Sequence, residues 1–378
     1  MEEVFFALMR AGLWGKDNDN HNPNDNFISF KDVDWEKVYN LASEQSVVGL
    51  VAAGLDSFKF QDSSLMCPLE LKLQMIGEAL QIEQQNADMN KFIARLVGKM
   101  RDAGIYTLLV KGQGVAQCYE KPLWRSCGDV DLFLSDDNYE KAKMFLKPLA
   151  SEIEEEYVRE KHFGMTIDGW VVELHGRLYS GLSSKLEREL DKVYKDTFYG
   201  GAVRSWDNNV VQVFMLKAEN DVFYIFTHIL QHFFKEGLGL RQVCDWCRLL
   251  YIYRGKLDLR LLESRIRNSG LMREWCVFAA FAVKWLGMPV EAMPLYNDND
   301  NLKKKADKIM DFILMSGNMG HNRDTSYMKY PFVIRKFFSA GRRIGDLFNH
   351  ARIFPMDSLR FSFAIMKNGV KSAIRGEG

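Results

Sequence analysis

Two aspartates, Asp129 and Asp131, interrupt an otherwise apolar run in Gly128-Asp129-Val130-Asp131-Leu132-Phe133-Leu134. In a strand, side chains at i and i+2 share a face, so both carboxylates project together while Val130, Leu132 and Leu134 face a core. Two carboxylates that close repel each other unless positive charge lies between them, and a hard divalent cation meets that need. A third acid comes from Trp170-Val171-Val172-Glu173-Leu174-His175, where alternation sets Val171, Glu173 and His175 on one face. If this strand lies beside the first, Glu173 completes a three-carboxylate site for two ions about 3.5–4 Å apart that clamp a phosphoryl group. Glu173 could instead serve as a general base. The same pattern also fits a half-buried strand whose aspartates simply face solvent.

A second group of residues precedes the acids. Lys111-Gly112-Gln113-Gly114 forms a glycine-rich turn between an apolar run and a short helical stretch. Such a turn leaves backbone N–H groups free to face an anion, and Lys111 would add a point charge. Arg125, just ahead of the acidic strand, is placed to stabilise charge developing on phosphates. It is equally a loop arginine exposed to water.

Other constellations point to structure. His228 and His232 stand i, i+4 with Glu236 on the same ridge, but Ile229 follows the first histidine where a zinc peptidase needs glutamate. They read as polar groups at a core edge or between domains. Cys244-x-x-Cys247 lacks a second pair or a companion histidine and lies in a helical pattern, so packing is its expected role. Arg241 and Asp245, also i, i+4, read as a structural ion pair that could still reach the cleft together with His175.

The elements that must position these residues follow from periodicity. The spacing predicts a short helix over 1–14, a solvated loop at Gly15–Asn26, a helix over Asp34–Leu55 and a long one over Pro68–Ala103. A mixed unit follows: a strand at Ile105–Val110, a short helix at Val115–Tyr119 and a strand at Asp129–Leu134. Ser135 then caps a helix running to Leu146, and strands at Phe163–Ile167 and Trp170–His175 meet at an Asp168-Gly169 hairpin turn. Beyond Gly176 the pattern is helical at Ser184–Lys195, Val210–Lys235, Leu240–Tyr253, Leu257–Asn268, Met272–Leu286 and Leu302–Leu314. The expected fold is therefore α+β, with three parts. Residues 1–103 form a helical N-terminal segment, 104–178 a small mixed-sheet core, and 179–378 a large helical C-terminal domain.

Composition narrows the class further. Lys+Arg and Asp+Glu both total 50 among 378 residues, so net charge marks no nucleic-acid or membrane partner. The N-terminus lacks the basic region of a secretory signal, no apolar stretch is long enough to span a bilayer, and six scattered cysteines read as reduced thiols. A cytoplasmic protein is expected. The last forty residues interleave Arg and Lys with Phe, which fits an amphipathic helix packed on the body. The alternative is a surface for nucleic acid or an acidic partner.

The glycine turn followed by Asp-x-Asp and a later acid resembles the DNA polymerase-beta-like nucleotidyltransferase superfamily. More closely, Lys111-Gly112, Tyr119, Pro122, Arg125 and GDVDLFL resemble the bacterial family of uncharacterised nucleotidyltransferases. VDWEKVYNLASEQSVVGLV, VELHGRL at 172–178 and LGLRQVCDWCRLL at 238–250 extend the likeness over most of the chain. The resemblance implies a nucleotidyltransferase core and Mg²⁺-dependent transfer of a nucleoside monophosphate from an NTP such as ATP to an unidentified acceptor. It gives Asp129, Asp131 and Glu173 the metal and catalytic roles, and Gly112 and Gly114 the triphosphate turn. A non-catalytic nucleotide-binding module that keeps the fold is the alternative. A phosphotransferase of the antibiotic-kinase type ranks below both, because the HxD-x4-N loop is missing.

Overall fold

The computed structural model of the chain describes residues 2–15, 33–57, 67–318, 329, 341 and 345–363. The Asp/Asn run after Gly15 and most of the basic C-terminal stretch lie outside these residues.

The N-terminal part is helical: α1 (Glu2–Trp14), α2 (Trp35–Glu44), α3 (Val48–Ser57) and the long α4 (Leu69–Asp102). The single helix expected over Asp34–Leu55 is in fact two. Ser46 takes φ +55° between them. The buried Gln45 side chain accepts from the Leu240 N–H at 3.0 Å and donates to the Ile313 carbonyl at 3.4 Å. That distant contact fixes the break, which helical periodicity cannot register. α1 and α3 meet backbone to backbone: a Cβ on Gly54 would lie 1.9 Å from the Leu8 carbonyl oxygen.

The sheet has seven strands: β1 (Thr107–Val110), β2 (Asp129–Leu134), β3 (Glu152–Ile153), β4 (His162–Ile167), β5 (Trp170–His175), β6 (Val203–Asn208) and β7 (Val211–Leu216). Their order is β3-β4-β5-β2-β1-β7-β6. β2 runs antiparallel to β1 and parallel to β5, and β1 runs parallel to β7. Asp168 and Gly169 both take positive φ, 50° and 82°, in the tight turn joining β4 to β5.

The helix expected over Val210–Lys235 is corrected. Its first third is β7, paired with β6 in a hairpin that turns at Asn209 (φ +58°), and α8 starts only at Ala218. Val211–Leu216 is apolar except for the exposed Gln212 and leads straight into the apolar pattern of α8, and periodicity does not separate so short a run from the start of a helix. The sheet thus takes two strands from beyond residue 178.

The short α5 (Gly112–Ala116) follows β1, and one face of the sheet, with Val130, Leu132, Leu134, Val172 and Leu174, packs on Met89, Phe92, Ile93 and Leu96 of α4 and on α6 (Asp136–Leu146). The other face meets the C-terminal helices. There Phe133 packs against Tyr194 and Phe198 of α7 (Ser184–Phe198). Beyond it lie α8 (Ala218–Lys235), α9 (Leu240–Ile252), α10 (Leu259–Ser269), α11 (Met272–Leu286) and α12 (Asp300–Ser316). Phe361 of the helical stretch 355–363 is buried and packs on Phe234, while Phe348 and Phe363 remain exposed. No described helix is long and apolar enough to cross a membrane.

Candidate active site

The acidic face of the sheet is assembled by strand register. β2 and β5 run side by side with Asp131 opposite Glu173 and Asp129 opposite Val171. Because each strand alternates, Asp129, Asp131 and Glu173 emerge on one face, and one oxygen of each lies within 4.8 Å of the others. Three oxygen donors at that spacing form a set suited to a hard divalent cation such as Mg²⁺.

Lys111 brings a positive charge to these acids. Its Nζ sits 2.7 Å from Asp131 Oδ1, and the Asp131 side chain is only 1% exposed. The backbone makes a concession for this contact, since Lys111 takes φ +56°, a region a non-glycine residue adopts at a cost. Gly112 follows at φ +40°, and a Cβ there would come within 3.2 Å of Cys127 Sγ. Burial works against the charge on Lys111, but Asp131, with Asp129 and Glu173 behind it, outweighs burial and raises the ammonium pKa.

The acids are unequal. Asp131 beside it, and then burial, push the Asp129 carboxyl above its usual range. Glu173 is also penalised by burial, yet hydrogen bonds from His162 and His175 hold it far below the usual carboxylate range. A carboxylate held that firmly ionised is a poor proton acceptor, which favours a ligand role for Glu173 over a general base. His175 Nε2 lies 2.7 Å from Asp131 Oδ1 and 3.5 Å from Glu173 Oε2. Burial opposes its protonation, but those two carboxylates raise its pKa.

A cavity of about 80 Å³ adjoins the acids, lined by Lys111, Gly112, Asp129 and Asp131 on one side and by α8 and α9 on the other. The remaining turn residues point elsewhere. The Gln113 side chain is buried and donates to Asn86 Oδ1 on α4 at 2.6 Å, while Gly114 packs on Met215. Arg125 does reach the cavity wall, but its guanidinium is gripped by Asp245 through Nε at 3.0 Å and Nη2 at 2.5 Å. Tyr119 donates to the same carboxylate at 2.8 Å.

This arrangement corrects the expected Arg241–Asp245 pair. Both Asp245 oxygens are taken by Arg125 in a fork geometry, and Arg241 donates instead to the Ser126 carbonyl at 2.7 Å. Arg241 Nε is buried with no hydrogen-bond partner among the described residues, and the side chain lines the cavity. Burial, then the neighbouring Arg125, lowers its pKa. An anion at that point would relieve both effects.

His228 and His232 also line the cavity, a placement that their spacing alone did not reveal. Their Nε2 atoms are 2.9 Å apart, and His232 Nδ1 lies 2.9 Å from Glu236 Oε2. Burial, together with His232 and Lys111, drives the His228 pKa well below the ordinary histidine value, so the ring is neutral at pH 7. Cys244 and Cys247 are fully buried in α9.

The profile of a family described as "uncharacterised nucleotidyltransferase" matches residues 31–287, more than half of the chain. Among solved structures, an antigenic nucleotidyltransferase-like protein from Paracoccidioides brasiliensis is similar at 13% identity. The match covers 53% of this chain and 93% of that one, with a TM-score of 0.30. No curated protein matches.

Proposed function

The chain belongs to the uncharacterised nucleotidyltransferase family, and from that premise we propose that it moves a nucleoside monophosphate from an NTP to an acceptor hydroxyl, with Mg²⁺ held by Asp129, Asp131 and Glu173. One observation carries this reading: register in the β2–β5 pair gathers three carboxylates from two strands beside a cavity lined by Lys111 and Arg241. Bound Mg²⁺ would neutralise phosphate charge and polarise the transferring group.

The remaining roles fall to the chain's own residues. Arg241, with its unpaired Nε, grips a phosphate oxygen, and Lys111 can turn from Asp131 to the triphosphate once the carboxylate has another cation. Arg125 positions rather than binds, because Asp245 holds both arms of its fork. The acceptor oxygen bonds to the α-phosphorus as the bond to the bridging oxygen breaks and pyrophosphate leaves. His228, neutral at the cavity wall with His232 Nε2 2.9 Å behind it, accepts a hydrogen bond from the acceptor hydroxyl and orients it, and the hydroxyl proton passes to water. Small-molecule pockets typically measure about 300–1,000 Å³, so a nucleotide must widen the 80 Å³ cavity.

The test is incubation with each α-labelled NTP, Mg²⁺ and cell extract, followed by asking which species acquires label. Transfer by the wild type and its loss in Asp131→Asn support the reading. Undiminished transfer by Asp131→Asn refutes the assignment of the site. Mg²⁺-dependent NTP binding without pyrophosphate release would leave a nucleotide-binding module.

A further inference from the structure

We propose that His162, His175 and Glu173 form a second metal site, chemically distinct from the all-oxygen triad, that takes a nitrogen-seeking divalent ion of the Zn²⁺ class. The proposal stands on ligand geometry alone and would hold equally for a non-catalytic protein.

Strand pairing builds the site. β4 and β5 form an antiparallel hairpin in which His162 lies directly opposite His175. Glu173 precedes His175 by two residues and so shares its face. One ring nitrogen from each of His162 and His175 and one Glu173 oxygen all lie within 4.8 Å of one another. Two of the edges are known: His162 Nε2 to Glu173 Oε2 is 3.1 Å and His175 Nε2 to Glu173 Oε2 is 3.5 Å. Ligands about 2.0–2.1 Å from one tetrahedral ion stand roughly 3.3–3.4 Å apart. The two measured edges bracket that value, so an ion could enter with small side-chain adjustments.

Both imidazoles present the same nitrogen, with ring centroids 4.9 Å apart and planes tilted by 32°. Tyr157 stacks on His162 at 5.9 Å and steadies its ring. The His162 and Glu173 side chains are 23% and 26% exposed, which leaves the solvent side open for a water as fourth ligand. Two imidazoles and one carboxylate suit Zn²⁺ or Co²⁺ far better than Mg²⁺, which prefers six oxygens. Glu173 belongs to both clusters, so its carboxylate would join a nitrogen-rich site to an oxygen-rich one.

Cobalt(II) serves as the probe, because its visible ligand-field absorption reports nitrogen ligation independently of any enzymatic activity. The full chain, free of a polyhistidine tag, is stripped with chelator and titrated with Co²⁺. One ion per chain should bind with a tetrahedral-type spectrum and be displaced by Zn²⁺. His162→Ala and the bulkier His162→Gln should weaken Co²⁺ by at least the roughly 10–100-fold that loss of even an outer-shell partner costs. Circular dichroism checks that each variant is folded. Asp129→Asn should leave the spectrum unchanged. The proposal is overturned if the wild type yields no such spectrum. It is equally overturned if both His162 variants bind Co²⁺ as tightly as wild type, or if Asp129→Asn abolishes the spectrum, since the ion would then sit in the oxygen triad.

Discussion

Replacing Lys111 by methionine removes the ammonium from Asp131 while nearly preserving the length and volume of the side chain. The pair is buried, with Lys111 15% and Asp131 1% exposed, and the contact is 2.7 Å. Breaking a buried pair by removing one partner costs about 3–5 kcal/mol, because the surviving charge is left uncompensated. At roughly 2–4 °C per kcal/mol for a large domain, Tm of the metal-free protein should fall by on the order of 10 °C. Mg²⁺ should restore much of this. An ion at 100 times its Kd stabilises the folded state by about 2.7 kcal/mol, and in Lys111→Met it no longer competes with a lysine for the same oxygen. The assay is thermal unfolding at pH 7 across a Mg²⁺ titration, for wild type and variant side by side. The variant should begin lower, gain more from Mg²⁺ and bind it more tightly. Nucleotide transfer should nevertheless drop, because Lys111 also faces the triphosphate in the proposed reaction. A variant whose Tm and Mg²⁺ affinity both match wild type would refute the idea that Lys111 holds the metal's place.

Two further outcomes follow from buried titrating groups. His228→Ala should lower kcat by about 2–10-fold with little change in KM, the worth of one neutral hydrogen bond of about 0.5–1.5 kcal/mol orienting the acceptor hydroxyl. In wild type, the acid limb of the pH–rate profile should lie below the ordinary histidine value, because burial and the neighbouring cations depress the pKa of His228. Glu274 is fully buried, and burial, followed by Asp357, pushes its carboxyl up to about 8. Its folded pKa is raised, so the unfolded chain ionises first: stability should fall as pH rises from about 4.5 to 8, by at most about 1.4 kcal/mol per unit. Glu274→Gln should flatten that slope in urea melts at pH 5 and pH 8, and an equal slope in both proteins would count against a neutral Glu274.

The strands that carry the three acids are the most legible part of the chain. Asp129–Leu134 and Trp170–His175 were delimited by alternation and by the Asp168-Gly169 turn, and both strands fall where expected. Alternation also put Asp129 and Asp131 on one face, but it could not show that β5 would return parallel beside β2 after a helix and two strands. That adjacency, which brings Glu173 to Asp131, is a tertiary fact. The β6–β7 hairpin is hidden because Gln212 is the one polar residue in Val211–Leu216 and Phe214 and Leu216 on its own face are apolar, so the period-2 signal is too short to stand out from the helix that follows. The choice of partner among charges was equally hidden. Arg241 and Asp245 satisfy the helical i, i+4 rule, yet a fork from Arg125, 120 positions away, takes the aspartate. His228 and His232 were visible as a pair, but only the packing of α8 over the sheet turns them toward the acids.

The same contacts indicate which wall of the cavity must yield to a nucleotide. α9 is tied to the segment just after the glycine turn by charged, buried bonds: Asp245 to Arg125 and Tyr119, and Arg248 to the Cys118 carbonyl at 2.8 Å. A second Arg248 bond, to the Leu13 carbonyl at 2.8 Å, ties α9 to α1 as well. Moving α9 would strand several of these charges, each at a cost of kilocalories. The cavity face of α8 is different. Ile225 and Ile229 contribute apolar contact, and the polar contacts described for His228 and His232, to each other and to Glu236, stay within the helix or its end. Shifting that face outward sacrifices apolar burial at roughly 25 cal/mol per Å², while the buried Arg204–Asp221 pair anchors the first turn of α8 to β6 and leaves the C-terminal half of the helix to swing. The half of α8 that carries His228 is therefore the wall that gives way, so His228 would meet the acceptor only when this half closes again over a bound nucleotide.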